Sequence, residues 1–220
     1  MRYEFNFRVV FQNLDFLLQG AWLTIQLSVV TMTLGLVVGI VVALGLTSGP
    51  RAVRWLGRGY VEVIRNTPLL VQLFIVYFGL PSAGLKLTAG QAAVVALTIN
   101  LGAYTTEIVR AGIEAIHRSQ IEAGLSLGLS WLQVFRHVVL FPALKVVYPA
   151  LASQFVLLML ATSVVSQIAA HELLYAAAFL ESRTFRSFEL YLAATLIYLV
   201  LSLLFRAAFQ TINHYAFARR

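Results

Sequence analysis

The sequence has no cysteine and only 9 acidic residues in 220. The first absence excludes disulfides and thiolate metal sites. Charged residues of both signs make up 11% of the chain, less than half the roughly 25% of a soluble domain. Too few charges remain to cover a water-soluble globule. No G-x-x-x-x-G-K-[ST] phosphate loop occurs, so ATP hydrolysis is not expected of this chain. A basic tip followed by an apolar stretch is also missing: Glu4, Asn6 and Arg8 occupy the start, and no cleavable signal peptide is expected.

Apolar residues fill the space instead. They are 60% of the chain, against about 45–50% in soluble domains. Five stretches approach the roughly 20 apolar residues that cross a bilayer. They run from about Ala21 to Leu46, Tyr60 to Leu80, Ala89 to Ile108, Val138 to Ile168, and Leu190 to Ile212. The second is interrupted by Glu62, Arg65, Asn66 and Pro68. The fourth is long enough to tilt or to kink at Pro142 and Pro149. The expected fold is therefore an all-α integral membrane protein of about five transmembrane helices, forming one domain over residues 1–220. Before the first span, residues 7–18 place Phe7, Val10, Phe11, Leu14 and Leu18 opposite Arg8, Gln12 and Asp15, the pattern of an interfacial amphipathic helix.

The net charge of +7 sits in the loops, as topology requires, and not in a patch suited to nucleic acid. An odd number of spans puts the termini on opposite sides. One side holds Arg2, Arg8, Lys86, Arg183 and Arg186, and the other holds the remaining eleven of the 16 basic residues. The positive-inside bias predicts the N-terminus outside and the C-terminus inside, with Lys145 and Arg206 snorkelling to the inner surface.

Within the spans, Gly35 and Gly39 form a small-xxx-small pair for close helix approach. Thr24, Gln26, Ser28, Thr31 and Thr33 are expected to face other helices or a watery path. Glu107 with Arg110, and Glu62 with Arg65, have ion-pair spacing. Thr67-Pro68 breaks the second span, either as a simple kink at the inner surface or as an opening of backbone toward a substrate. Gln154, Thr162, Ser163 and Ser166 supply uncharged hydrogen-bonding groups along the fourth span, for transient substrate contact or for helix–helix hydrogen bonds. His171 has no second histidine nearby, and no metal site is expected. The external stretch 171–181 suits either a lid on the span ends or a contact with a binding protein.

The segment between spans three and four is the most informative. Ser119 and Glu122 have the spacing of a capping box, Gly128 can end the helix, and Ser130 with Gln133 form a second box. Two short capped helices are expected over residues 118–137, more than a connection requires. Glu122-Ala123-Gly124, then Gly128 and Pro142, resemble the cytoplasmic EAA loop of ABC importer permeases. Arg65-Asn66-Thr67-Pro68-Leu69-Leu70-Val71-Gln72, Gly102-Ala103-Tyr104 with Glu107, and Thr162-Ser163 before His171-Glu172-Leu173-Leu174 are similar to the polar amino acid uptake group of that family.

The resemblance implies a bacterial-type inner-membrane, multi-pass permease. It implies that Glu122, Ala123, Gly124 and Gly128 form a coupling helix seated in a separate ATPase subunit. ATP and Mg would then sit on that partner, with no cofactor on this chain. Further implied partners are a second permease subunit, identical or related, and an extracytoplasmic amino-acid-binding protein. Thr67, Gln154, Thr162, Ser163 and Ser166 are the candidates for the substrate path. The sequence departs from the family pattern at Gly124, in place of alanine, and at Phe141, where the proline is expected one place earlier. Leu160-Ala161 replaces a Lys-Asp pair, which suggests a less charged substrate or a site supplied by the partner. Two other classes compete: a gradient-driven secondary transporter, which needs an ionisable group near the bilayer centre, and an intramembrane hydrolase, which needs a base beside Ser163 or Ser166.

Overall fold

The computed structural model describes residues 4–217. Arg2, Arg219 and Arg220, counted above for topology, lie outside them. The helices in chain order are α1 (Arg8–Gln12), α2 (Leu14–Ser48), α3 (Arg51–Arg65), α4 (Leu69–Ser82), α5 (Ala89–Glu114), α6 (Arg118–Ser126), α7 (Trp131–Ile168), α8 (Leu173–Thr184) and α9 (Ser187–Phe217). Helices α2, α5, α7 and α9 are each long and apolar enough to cross a membrane. Residues 7–18, expected as one interfacial helix, are divided. Arg8–Gln12 form a single short turn, and Leu14 onward already belong to α2.

The second apolar stretch is not one straight span. Helices α3 and α4 meet at 109°. Pro68 has no N–H to donate, and its ring disfavours helical backbone in the residue before it. The turn at Asn66–Thr67 follows from that. The fourth span starts earlier than its hydropathy suggests, because the second loop helix runs into it without a break. Phe135–Leu140 form a wide π turn just ahead of Pro142, which absorbs the missing donor. Its far end, Thr162–Ile168, tightens to a 3₁₀ helix.

Helix α5 is central, with half of its apolar window buried against 17–33% for the other spans. Small residues let its neighbours close on it. A Cβ on Gly35 would lie 2.7 Å from Leu101 Cδ2, and one on Gly39 2.4 Å from Thr105 Cγ2. On the far side, a Cβ on Gly112 would meet Val147 of α7 at 2.0 Å. Gly102 is covered by Tyr60 of α3, whose hydroxyl donates to the Ile99 carbonyl at 2.6 Å. The small-xxx-small pair thus sits at the close crossing of α2 on α5, where close approach maximises dispersion contacts.

Three of the five polar residues of α2 face inward. Thr24, Ser28 and Thr31 are fully buried and donate to carbonyls one turn back. Gln26 and Thr33 point outward, contrary to expectation; Thr33 satisfies its hydroxyl on the Val29 carbonyl at 2.8 Å. Self-satisfaction of that kind removes the cost that an exposed hydroxyl would pay in lipid. Thr105, by contrast, is fully buried, and its hydroxyl has no partner among the described residues. The isosteric Thr105→Val should therefore leave the thermal midpoint unchanged or raise it, since it removes a desolvated polar group. A clear loss of thermal stability would show that the hydroxyl is bonded.

Candidate functional site

The chemistry gathers in three places, each set by a break in helical regularity. The first is the pair of loop helices. Helix α6 starts two residues earlier than the Ser119 box implies. His117 is its cap, with Nδ1 accepting from the Ser119 N–H at 3.3 Å and lying 2.7 Å from its hydroxyl. Ser119 is consequently inside the first turn, and Glu122 is left exposed with no hydrogen-bond or ion-pair partner among the described residues. The end of α6 is as expected. Gly128 has φ +79°, its N–H bonds the Leu125 carbonyl, and the Leu129 N–H bonds the Gly124 carbonyl at 3.2 Å. That pair of bonds is a Schellman motif, which a left-handed residue must close. The Ser130–Gln133 box then opens α7, with Ser130 N–H on Gln133 Oε1 at 2.8 Å.

Gly124 explains its own departure from alanine. It is buried, and a Cβ there would lie 3.0 Å from Val134 Cγ2. The two loop helices therefore close on each other as one rigid element. Its outer surface carries Glu122 and Ala123 beside Leu127, Trp131 and Leu132, which are 82%, 66% and 72% exposed. Such an apolar patch beside a charged residue marks an interaction surface, for protein or for lipid.

The second place is a charged cleft of about 530 Å³ between α3 and α5. Arg110 grips Glu107 with two bonds, Nε to Oε1 at 3.0 Å and Nη2 to Oε2 at 2.8 Å, and reaches Glu114 at 2.6 Å. The expected Glu62–Arg65 pair does not form. Arg65 turns across to Glu107 at 3.7 Å and lies over the Tyr104 ring at 5.4 Å, while Glu62 accepts from Asn66 at 3.1 Å. Helix α3 presents Arg65 toward α5, so a carboxylate on the neighbour outcompetes one on its own helix. These half-exposed pairs contribute little stability, about 0–1 kcal/mol each. Their effect is to tie α3 to α5 across a polar opening.

The third place is the break itself. Gln72 is buried and donates to the Ile64 carbonyl at 2.7 Å, the Thr67 carbonyl at 3.0 Å and the Thr67 hydroxyl at 2.9 Å. Its own carbonyl accepts from Asn100 of α5 at 3.0 Å. The backbone groups freed at Pro68 are thereby satisfied, as a membrane interior requires. In the sequence Gln72 is singled out only as the end of the Arg65–Gln72 run, and Asn100 not at all. A lone amide in the middle of an apolar span was the available signal for Asn100.

The remaining candidates lie on α7. Thr162 is buried and donates to Met159 at 2.6 Å, Ser163 to Leu160 at 2.8 Å, and Ser166 to Ser163 at 2.7 Å. Their protons are spent within the 3₁₀ turn, which leaves the oxygens as acceptors. The first turns of α4, beyond the Pro68 break, pack against this 3₁₀ segment. Gln154 is half-buried with no partner among the described residues. Thr67 is exposed and serves the Gln72 cluster. The structure thus gathers Thr162, Ser163 and Ser166, and places Thr67 and Gln154 apart from them.

Beyond the 3₁₀ turn, Glu172 is an acid whose role the sequence does not reveal, as is Glu189, also fully buried and accepting from the Asn6 N–H at 2.8 Å. Glu172 is fully buried and caps α8 through the N–H groups of Leu174 and Tyr175 at 2.9 and 2.8 Å, and the Tyr198 hydroxyl donates to it. Helix α8 buries Leu173, Ala176, Ala177 and Leu180, and is a lid on the span ends. Burial pushes the Glu172 carboxyl above its ordinary 4.5, against the hydrogen bonds from Tyr198, Leu174, Tyr175 and Thr24. The folded state then holds this proton more tightly than the unfolded chain. Its contribution to stability is lost as pH rises from 4.5 through the raised value. Glu172→Gln should remove that slope from the difference in thermal midpoint between variant and parent; an unchanged difference across pH would refute it.

Comparison with known proteins follows the same lines. Residues 35–214 match the model of the family described as binding-protein-dependent transport system inner membrane component. The chain is 38% identical over 198 residues to the probable glutamine ABC transporter permease protein GlnM of Bacillus subtilis, covering 90% of this chain and 92% of that one. It is 36% identical to the arginine transport system permease protein ArtQ of the same organism, covering 90% and 91%. The fold superposes on a crystal structure of an amino acid ABC transporter with histidines at a TM-score of 0.89 and 34% identity, covering 97% of this chain and all of that one. From the match over most of its length, the two-helix loop and the bundle around α5, this chain belongs to the family of inner membrane components of binding-protein-dependent transport systems.

Proposed function

We propose that the chain is the permease subunit of an ATP-binding-cassette importer of amino acids, with ATP and Mg bound and hydrolysed on a separate ATPase subunit. One observation carries the mechanism. Helix α7 is continuous from Trp131 to Ile168, a rod on the order of 55 Å. One end is locked to α6 through Gly124 and Val134, and the other holds Thr162, Ser163 and Ser166. A displacement of the loop element therefore reaches the far end of the bundle as rigid motion.

In this reading the loop end, rich in Arg and Lys, faces the cytoplasm. Glu122, Ala123 and the Leu127–Leu132 surface dock on the ATPase, and closure of an ATPase pair swings α7 in two permease subunits. The Arg65–Glu107–Arg110 cluster closes the inner mouth. The hydroxyl oxygens at 162–166 accept from the ammonium of an amino acid delivered by an external binding protein. The energetic requirement is that ATP bind one conformation better than the other.

The test is to express the chain with its candidate ATPase and weigh the intact particle by native mass spectrometry. In parallel, labelled amino-acid uptake is followed in proteoliposomes carrying the binding protein. Two ATPases with two permeases, and uptake that stops without ATP, is the expected result. A particle without ATPase, taking up amino acids after ATP depletion, would establish a gradient-driven carrier instead.

A further inference from the structure

A second polar cleft, of about 540 Å³, opens between α7 and α9. Its polar lining differs in kind from that of the α3–α5 cleft. Arg206, Gln210 and Asn213 fall at i, i+4 and i+7, on one face of α9. None of the three has a hydrogen-bond or ion-pair partner among the described residues. Opposite them stand Pro149 and Ser153 of α7, and Lys145 lies one turn nearer the loop end on that same face. No acidic residue lines the cleft. The Ser153 hydroxyl is already given to the Pro149 carbonyl at 3.0 Å.

The polarity also has a direction. Helices α7 and α9 run antiparallel, held by the Tyr148 hydroxyl on the Phe209 carbonyl at 2.7 Å and by Phe141 against Phe217. The donors therefore lie toward the loop end. Val156, Leu157 and Leu160, which complete the wall, lie toward the middle of the bundle. Arg206 is 11 residues before the end of α9 at Phe217, about 16 Å along its axis. A guanidinium that is free of partners among the described residues, beside an apolar wall, is best met by an anion. The lining offers a cation and no carboxylate, which favours an anionic group over a zwitterion. A molecule with an anionic head and an apolar tail fits both ends of the cleft in the orientation that the bilayer imposes.

We propose that the α7–α9 cleft is a binding site for one anionic phospholipid. Arg206, Gln210 and Asn213 hold the headgroup phosphate, Lys145 supplies a second cation, and an acyl chain lies along Val156, Leu157 and Leu160. Basic clefts between membrane helices suit such headgroups. The proposal requires only that the chain be in a membrane, and stands apart from what it transports.

The experiment uses the full chain, purified with whatever subunits accompany it, stripped of lipid and titrated with phosphatidylglycerol or phosphatidylcholine of identical acyl chains. Native mass spectrometry reads the occupancy. One retained phosphatidylglycerol and no retained phosphatidylcholine are expected. Arg206→Gln should weaken retention about fivefold, the worth of one interfacial cation, and Arg206→Lys should keep most of it. If Arg206→Gln does not insert, the double change Gln210→Leu and Asn213→Leu should weaken retention in the same direction. Equal retention by parent and variants overturns the site. Displacement of the lipid by millimolar inorganic phosphate would reduce it to a simple anion site, and overturns the lipid. Efficient disulfide cross-linking between two copies carrying Ser153→Cys would mean that a second permease covers the cleft, and overturns it as well.

Discussion

Gly128→Val is expected to cut ATP-driven uptake at least about tenfold while the chain still inserts and the ATPase still turns over. The physical ground is the left-handed backbone at φ +79° that closes α6. A β-branched residue pays about 1–2 kcal/mol to sit there, and the Schellman bonds of Gly128 and Leu129 are the first to give way. A Cβ at this position meets nothing within 4 Å, so the penalty is conformational and not steric. Gly128→Asn is therefore the informative partner, since asparagine tolerates this region. It should recover most of the uptake. Uptake, ATPase rate and membrane yield of both variants decide the matter. If valine and asparagine are equally harmful, the loop is sensitive to any side chain, and its backbone turn is not what couples it. If both are harmless, the loop does not transmit the ATPase motion.

Gly39→Leu should abolish the folded permease. A Cβ there would sit 2.4 Å from Thr105 Cγ2, 2.5 Å from Thr105 Cβ and 3.0 Å from the Thr106 backbone nitrogen. Backbone cannot swing away as a flexible side chain can, so α2 and α5 must separate along their tightest crossing. Overpacking of this kind costs about 3 kcal/mol or more, a large part of a typical stability. Thermal unfolding of the solubilised protein should show it, with Gly39→Ala intermediate. The double change Gly39→Ala with Thr105→Gly should recover more than half of the loss suffered by Gly39→Ala alone, because the two residues compete for one space. Independent, additive losses would mean that the crossing is looser than drawn here.

Much of this molecule is written locally. The bilayer-length apolar runs, the basic bias of the loops, the Ser130 box, the Gly128 turn and the Gly35–Gly39 pair all depend on residues within a few positions of one another. The Ser130 box, the Gly128 turn, the close Gly35–Gly39 contact and four of the apolar runs reappear in the structure. The Ser119 box failed for a local reason too: His117 two places earlier competes for the same N–H and wins. Residues 7–18 carried a valid amphipathic pattern, but Leu14–Leu18 continue into α2 without a break, and periodicity does not say where one helix ends.

What the sequence by itself determined is the class of the protein, its spans, its two-helix loop and the family it resembles, because each rests on composition or on short-range spacing. What only the tertiary structure decided is who meets whom. Arg65 pairs with Glu107 and not with Glu62. Asn100 completes the Gln72 cluster from another helix. Glu172 is buried beside Tyr198, and the donors of Arg206, Gln210 and Asn213 share one cleft. Helical spacing fixes which side chains share a face, but the rotation and crossing angle of packed helices decide what that face meets. In this bundle those angles are set by close contacts at Gly39, Gly102 and Gly112, whose partners lie far away along the chain.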